Sequence, residues 1–327
     1  MTSRERIIRA LEFEEVDRIP IDIWMGAEVE SRYPSDISAP RYYFGPGRSW
    51  GQSGIKGRYM DVWGCLWEVA EDGVCGESVD SPLRKEWSAL ASFQPPWDVL
   101  DQADLSQVNG DCARSQKFMI PMWAGGANLF ERMQHLRGTE QLLMDLAYLE
   151  PEVYRLRDMV HEFFMRQFAL WMKTDIDAIH LHDDWGTQLS LLISPALWRD
   201  FFKPIYREYC DLAHRHGKKV LMHSDGFIME IIPDLIEIGV DAINAQIFCM
   251  GIEMLAERFR GKICFWGEID RQYLLTRGTE EEVREAVRHV ARVFMPEKRT
   301  GIVGQCHNGK DHKLENMIAV YDEWSRI

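Results

Sequence analysis

The chain has 327 residues, of which 46% are hydrophobic, so it can bury a large core. Its 52 acidic and 38 basic residues give a formal net charge of −14, which opposes binding to nucleic acid and to anionic membranes. The seven cysteines are odd in number and form no C-x-x-C pair, which argues against a disulfide framework and a zinc finger and favours a reducing cytoplasm. We expect a soluble protein, because no segment approaches the roughly 18 uninterrupted apolar residues of a membrane span.

The first hundred residues divide into a regular start and a long irregular segment. Residues 3–12 have the spacing of a short amphipathic helix, and residues 16–24 predict a turn that leads into a first strand. Between about 30 and 115 the periodicity is lost, and glycines alternate with tryptophans until Pro95 and Pro96 close the segment. Irregular segments of this length inside a compact domain usually carry function, so we predict an insertion that covers the rest of the domain.

Strand and helix patterns alternate from residue 118 to the end of the chain. The predicted strands cover 118–123, 178–181, 219–222, 241–244, 263–266 and 301–303. The predicted helices cover 129–148, 151–173, 195–216, 227–238, 251–260, 279–294 and 314–325. This alternation implies a parallel sheet, and its persistence favours an α/β fold closed into a TIM-type barrel over a doubly wound sheet. We predict one domain over 1–327, with 30–115 capping the barrel mouth, and no nucleotide cofactor, since no glycine-rich phosphate loop is present.

Five of the predicted strand ends finish in polar side chains. These groups lie at 180–184, 223–226, 244–246, 268–270 and 305–308. The carboxyl ends of all strands of a parallel barrel meet at one face, where barrel enzymes keep their chemistry. Each group taken singly is also explained by helix caps and turns. Five such groups in succession favour an active site.

Several segments carry a resemblance to a known family. They read TSRERIIRALEFEEVDRIP at 2–20, FERM at 130–133, RGTE at 137–140, DAIHLHDDWGTQ at 177–188, HSDG at 223–226 and ENMIAVY at 315–321. Together, and in this order, they resemble the uroporphyrinogen decarboxylase superfamily over nearly the whole chain. The resemblance implies a (β/α)8 barrel. It leaves the function open, because the superfamily contains a cofactor-free decarboxylase of the haem pathway and zinc-dependent methyltransferases that exchange methyl groups with a corrinoid protein.

The decarboxylase alternative is weakened by the distribution of charge. That enzyme's substrate is a tetrapyrrole with eight carboxylates, and the family holds it with an arginine-rich N-terminal segment. Here no arginine follows Pro20 until Arg32. A decarboxylase-like lyase that acts on a carboxylated substrate remains one alternative, and a non-catalytic ligand-binding barrel is another.

The methyltransferase interpretation depends on a metal site. The resemblance implies zinc ligands in a His-x-Cys segment and in a later cysteine, and His223, Asp225 and Cys306 occupy these positions, with Asp225 replacing a sulfur. A His/Asp/Cys set is acceptable for zinc, and Glu268 is predicted to serve as a fourth ligand or a base. Against this, residues 306–308 also resemble the Ser-His-Asn turn of members that have no assigned metal.

A second group of polar residues follows the strand predicted at 178–181. His182 and Asp184 share strand parity and are predicted to face the barrel mouth, where an imidazole beside a carboxylate can move protons. A polar layer that closes the barrel is the alternative. Six side chains at or near strand ends are predicted to bind substrate, although packing also explains each tryptophan: Trp123, Trp185, Gln188, Gln246, Trp266 and His307.

The sequence thus predicts a zinc-dependent methyltransferase that moves a methyl group between a small methylated metabolite and a corrinoid protein. His182, Asp184 and Glu268 are the predicted catalytic residues, and the expected cofactors are zinc and a methylcobalamin carried by the partner. No nucleic acid or membrane partner is expected. The methyl donor, the direction of transfer and the oligomeric state are open from sequence, with a homodimer as one alternative.

Overall fold

Strands and helices alternate along a computed structural model that describes residues 1–24, 29, 31–33, 35–45, 54–297 and 300–327. The strands of this described part are β1 (Ile37–Ser38), β2 (Gly57–Met60), β3 (Leu66–Val69), β4 (Glu77–Asp80), β5 (Phe118–Met119), β6 (Ala178–His182), β7 (Lys219–Ser224), β8 (Ala242–Ala245), β9 (Cys264–Trp266) and β10 (Ile302–Val303). The α-helices are α1 (Ser3–Leu11), α2 (Trp97–Asp101), α3 (Val108–Arg114), α4 (Leu129–Arg137), α5 (Thr139–Tyr148), α6 (Pro151–Trp171), α7 (Pro195–Leu197), α8 (Lys203–Arg215), α9 (Ile232–Ile238), α10 (Ile247–Met250), α11 (Ile252–Phe259), α12 (Leu274–Arg277), α13 (Glu280–Phe294) and α14 (Leu314–Trp324).

Seven of these strands are parallel and lie side by side. β6 to β10 form one parallel sheet in chain order, with β6 and β10 at its edges. β1 and β5 form a second parallel pair, in which Ile37 lies opposite Phe118. Each parallel connection from β5 onward passes through at least one helix, as parallel neighbours require.

Backbone hydrogen bonds join the two parallel sheets into a ring. The Asp177 N–H donates to the Met119 carbonyl at 2.8 Å and connects β6 to β5. The remaining gap is filled by the segment around Ile21, which forms a parallel bridge with Gly304 beyond β10. The Asp36 N–H donates to the Ile21 carbonyl at 2.7 Å and connects the same segment to β1. The predicted (β/α)8 barrel is therefore confirmed, with the Ile21 segment as its first strand.

The interior of the barrel is filled by apolar side chains. One buried cluster draws a residue from every strand of the ring from β1 onward: Ile37, Phe118, Ala178, Leu221, Ala242, Cys264 and Val303. Small residues such as Ala178 and Ala242 alternate with large ones, which lets the layers fit within a narrow barrel. Ile7 and Leu11 of α1 belong to the same cluster. The barrel is thus a packed core, and ligands can enter only at its ends.

Local features explain where some of the helices begin and end. The helix predicted over 129–148 is divided into α4 and α5 at Gly138, whose φ of 86° is incompatible with a continuing helix. α13 is capped at its start by Thr279, whose side chain accepts from the Glu282 N–H while the Glu282 carboxylate accepts from the Thr279 N–H. This capping box sets the helix start where the sequence placed it.

The segment between β1 and β5 contains more regular structure than its sequence indicates. β2, β3 and β4 form an antiparallel sheet, and α2 and α3 follow it. The Asp61 carboxylate holds this sheet to the barrel, because Oδ1 accepts from the Trp63 and Cys65 N–H groups while Oδ2 accepts from Trp67 Nε1 at 3.0 Å and Arg132 Nη1 at 2.7 Å. Residues 46–53 of the predicted cap lie outside the described residues.

No helix within the described ranges combines the length and the apolar composition that crossing a membrane demands.

Candidate active site

A cavity of about 1100 Å³ lies over the carboxyl ends of the barrel strands. His182, His223 and His307 line it from the ends of β6, β7 and β10. Trp63 and Trp67 line it from the insertion between β1 and β5. The cavity is therefore enclosed by two parts of the chain that are far apart in sequence, in the position that active sites occupy in this type of barrel.

Three ionisable side chains converge on one wall of this cavity. Asp184, His223 and Asp225 each offer a ligand atom, and these atoms lie within 4.8 Å of one another. His223 Nε2 lies 3.6 Å from Asp184 Oδ1 and 3.7 Å from Asp225 Oδ1. Its Nδ1 contacts Asn244 Oδ1 at 2.5 Å, and the Asn244 amide is oriented by its donation to the Trp266 carbonyl. Nδ1 therefore carries a proton, and Nε2 faces the carboxylates.

Burial and the neighbouring charges change the pKa of each side chain in this group. Burial opposes a charge on His223, but the Asp184 and Asp225 carboxylates outweigh this effect and raise its pKa. Burial also favours the neutral form of Asp225, yet His223 and Arg271 lower its pKa. For Asp184 burial prevails and raises the pKa. His223 and Asp225 therefore favour each other's charged form.

These residues fit a divalent metal ion. One imidazole nitrogen and two carboxylate oxygens are accepted zinc ligands, and three protein ligands with an open fourth position are typical of catalytic zinc. The three side chains line the cavity, so the open position would face a bound substrate. Two carboxylates make this set harder than one that contains thiolates.

Cys306 does not join this group. Its side chain is completely buried in the apolar core, and its backbone N–H contacts the Tyr321 hydroxyl at 3.4 Å. Burial raises the pKa of the Cys306 thiol to about 12, so the thiol keeps its proton. Of the three predicted ligands, the structure thus brings His223 and Asp225 together. The third member of the group is Asp184 and not Cys306.

The two other predicted catalytic residues, His182 and Glu268, lie close to the group but differ in access. His182 lines the cavity, and burial lowers its pKa to about 3, so the ring is neutral. Its Nδ1 is buried and has no hydrogen-bond partner among the described residues. Glu268 is almost completely buried behind the group, and burial raises its pKa to about 7. Its Oε1 lies 3.8 Å from Arg271 Nη1.

Of the six predicted substrate-binding residues, two line the cavity. Trp123 is 50% exposed and has a φ of 52°, an unusual conformation for a large side chain and one that is concentrated at functional sites. His307 also lines the cavity. Gln188 and Gln246 contact each other and do not reach the cavity, although Gln246 also contacts the Arg271 guanidinium.

Trp185 and Trp266 are core residues. Trp185 is completely buried and stacks on Phe130 with a centroid distance of 4.2 Å. Trp266 is also completely buried, and its Nε1 donates to Asp22 Oδ2 at 2.9 Å. Trp24 packs on Trp266 with a centroid distance of 5.4 Å, and it is the Trp24 indole that lines the cavity. Trp185 and Trp266 are therefore not placed to contact a substrate.

The comparisons with known proteins agree with the fold. Residues 124–323, well over half of the chain, match the family model described as Uroporphyrinogen decarboxylase (URO-D). The chain belongs to the URO-D family. This confirms the resemblance that its sequence motifs indicated.

Solved structures extend the comparison to the whole chain. A methyltransferase from Methanosarcina mazei is 13% identical, with a TM-score of 0.71 over 100% of this chain and 99% of that one, so the two share a fold. A D-psicose 3-epimerase determined in the presence of D-fructose is 15% identical over 50% of this chain and 62% of that one, and its TM-score of 0.32 is too low to support an argument. A comparison with curated proteins gave no significant match.

Three cavity residues of this URO-D chain were missed by the sequence interpretation. Asp22 follows the first barrel strand, accepts from the Trp24 and Trp266 indoles, and has its pKa raised to about 6 by burial. Arg271 donates to Asp225 Oδ2 and follows the polar group at 268–270, a signal that could have identified it. Glu131 lies within the FERM segment, which indicated the family but gave no role to this residue.

A close backbone contact brings the ends of β6 and β7 together in this URO-D barrel. Gly226 has a φ of 80°, and a Cβ atom added to it would lie 2.2 Å from the Gly186 carbonyl oxygen. We expect Gly226→Ala to lower the free energy of unfolding by more than the roughly 1–3 kcal/mol that backbone strain alone costs. Chemical denaturation measures the change.

The matched control for this substitution is Gly217→Ala. Gly217 has a φ of 68°, and a Cβ atom there would meet nothing within 4 Å. This variant therefore carries the backbone strain without the contact. Equal losses of stability in the two variants would contradict the importance of the contact between Gly186 and Gly226.

Proposed function

We propose that this URO-D family member is a zinc-dependent methyltransferase that moves a methyl group between a small methylated metabolite and a separate corrinoid protein. The observation that carries the proposal is the convergence of Asp184, His223 and Asp225 on one wall of the cavity. The fold shared with a Methanosarcina mazei methyltransferase supports it. A cytoplasmic location is part of the proposal, because all seven cysteines are free.

In this proposal the metal is held by His223 Nε2 and by one oxygen each of Asp184 and Asp225. When bound, zinc acts as a Lewis acid that stabilises negative charge on the heteroatom that loses the methyl group. Asn244 holds the His223 ring in the required tautomer, and Arg271 binds the second oxygen of Asp225. The Asp225 N–H donates to Asp184 Oδ1 at 2.8 Å, which restrains the remaining carboxylate. These contacts keep the three ligand atoms in place before a metal arrives.

The rest of the cavity supplies the binding surface. Its volume of about 1100 Å³ is above the usual range for one small ligand, so a metabolite would leave space for a second reactant to approach. Trp24, Trp63, Trp67 and Trp123 give it apolar walls. Such walls exclude water, which strengthens the electrostatic interactions of the polar group.

The proposal is tested by metal analysis and by methyl transfer to a free corrinoid. Protein purified without chelator should contain about one zinc per chain by mass spectrometry, and it should convert cob(I)alamin to methylcobalamin with at least one of four donors. The donors are methanol, methylamine, dimethyl sulfide and methyl phenyl ether, and formation of methylcobalamin is followed by absorbance. Chelator-treated protein is the control. Metal-free protein with full activity would contradict the role of zinc, and inactivity with all four donors would contradict methyl transfer.

We also expect no useful conversion of uroporphyrinogen to coproporphyrinogen. The basic residues that line the cavity within the described ranges are Lys117, Arg132 and Arg271. The two arginines are already paired, Arg132 with Asp61 and Arg271 with Asp225. Lys117 is then the remaining one of these three cations for a substrate with eight carboxylates, and each unpaired buried charge costs several kcal/mol. Incubation under reducing, dark conditions with chromatography of the product measures this, and efficient conversion would favour the decarboxylase instead.

A further inference from the structure

We propose that the Glu131 carboxyl is the acid that protonates the heteroatom from which the methyl group departs. This inference rests on the proposed function and assigns a residue to its proton step. Glu131 is the third residue of α4, and its side chain lines the cavity. It is therefore placed on the side of the cavity formed by α4, where it can reach a ligand that also faces Asp184.

The backbone of Glu131 is fixed while its carboxyl is not. Its N–H donates to Asp183 Oδ1 at 2.8 Å, and Asp183 in turn accepts a hydrogen bond from the Tyr206 hydroxyl. This contact attaches the start of α4 to the end of β6, next to Asp184. Within the described residues the Glu131 side chain makes one hydrogen bond, from Asn128 Nδ2 at 3.4 Å, which is long and weak. The carboxyl can accordingly reorient toward a bound ligand.

Burial favours a proton on Glu131. Among the described residues, the ionisable groups that influence it are Cys75, Arg132, Asp183 and Asp184. Burial is the largest influence and raises the pKa of Glu131 well above its usual value. Arg132 is the one cation of the four, but its Nη1 binds Asp61 Oδ2 at 2.7 Å. Its charge is thus already matched, so the burial that raises the pKa of Glu131 favours the protonated carboxyl.

The step balances as follows. The bond between the methyl carbon and the heteroatom breaks, and the heteroatom keeps the electron pair. The methyl carbon bonds to the cobalt(I) of the reduced corrinoid, which supplies the other electron pair. The Glu131 carboxyl gives its proton to the heteroatom and is reprotonated from solvent. In the reverse direction the Glu131 carboxylate accepts that proton.

A structural role for Glu131 is the alternative that the experiment must separate. An acidic residue in the first turn stabilises a helix through the helix dipole, so a loss of activity in Glu131→Gln would not by itself identify an acid. The dependence of rate on the leaving group does distinguish the two roles. A weakly basic leaving group needs little proton transfer, whereas a strongly basic one depends on it.

The first measurement therefore uses methyl donors of one class that differ in leaving-group basicity, such as para-substituted methyl phenyl ethers or the matching thioethers, with cob(I)alamin as acceptor. For the unsubstituted donor, Glu131→Gln should lower kcat by about 100-fold or more. The loss should shrink for the para-nitro donor, and Glu131→Asp should recover part of the rate. The wild-type kcat should fall as pH rises through the pKa of Glu131, and Glu131→Gln should lack this limb. Glu140→Gln on the exposed surface of α5 is the matched control.

The second measurement is independent of turnover. The infrared spectrum of wild-type protein minus that of Glu131→Gln should contain the carbonyl stretch of a protonated carboxyl at neutral pH, and the Glu140→Gln difference should not. An equal loss of kcat across the donor series, or the absence of this band, would overturn the inference while the methyltransferase proposal stands. Absence of methyl transfer in the wild-type protein would instead remove the proposed function and this inference with it.

Discussion

Replacing His223 by alanine should remove the bound metal and lower methyl transfer by more than about 100-fold. His223 supplies the nitrogen ligand of the Asp184, His223 and Asp225 group. Changing a residue that merely supports a metal ligand costs about 10–100-fold, so loss of the ligand itself should cost more. Metal per chain by mass spectrometry and the initial rate with cob(I)alamin measure the two effects, and circular dichroism reports whether the barrel remains folded.

Three further variants locate the site. His289→Ala alters a surface histidine that pairs with Glu253 at 2.9 Å and should retain both metal and activity. Cys306→Ala should also retain the metal, because the thiol is buried outside the group, whereas Asp184→Asn should lose it. Loss of metal from Cys306→Ala together with its retention in Asp184→Asn would show that the ligand set predicted from sequence is the correct one.

Replacing Asp61 by alanine should lower the free energy of unfolding by about 3–5 kcal/mol, because the change leaves the Arg132 guanidinium buried and unpaired. The Arg132 side chain is 3% exposed and that of Asp61 is completely buried. The Trp63 and Cys65 N–H groups lose their acceptor as well. Chemical denaturation followed by tryptophan fluorescence measures the loss.

An exposed ion pair of the same insertion provides the comparison. Arg58 and Glu68 face each other across β2 and β3 with exposed fractions of 66% and 43%, so Glu68→Ala should cost no more than about 1 kcal/mol. Adding Arg132→Met to Asp61→Ala should recover part of the loss, since no unpaired charge then remains. Similar costs for Asp61→Ala and Glu68→Ala would contradict the assignment of Asp61 as the connection between the insertion and α4.

The barrel was predictable because its strands are short apolar runs with clear ends. The strand predicted at 178–181 is observed as Ala178–His182, and the one predicted at 263–266 as Cys264–Trp266. The antiparallel sheet of the insertion was missed because its strands lack such runs. β2 begins at Gly57, and β4 runs from Glu77 to Asp80, with most of its side chains exposed.

The site was predictable only in part, for a different reason. His223, Asp225 and Asp184 follow strands in sequence, so their presence at the barrel mouth could be inferred. Which of the strand-end residues converge is decided by close contacts in the folded chain, such as the one between Gly186 and Gly226, and not by a sequence pattern. Glu131 could not be assigned either, because it reaches the cavity from α4 and not from a strand end.

The sequences of the two walls of the cavity are under different structural constraints. One wall consists of strand ends, where a change in backbone position would disturb the whole barrel. The other belongs to a segment that departs after β1 and returns at β5 and that contributes Trp63, Trp67 and Cys75. Related chains can therefore acquire new ligands by altering this segment while the ionisable group stays unchanged. A mutant library confined to residues 57–80 and screened for altered donor preference would test whether changes in this segment alone alter ligand specificity.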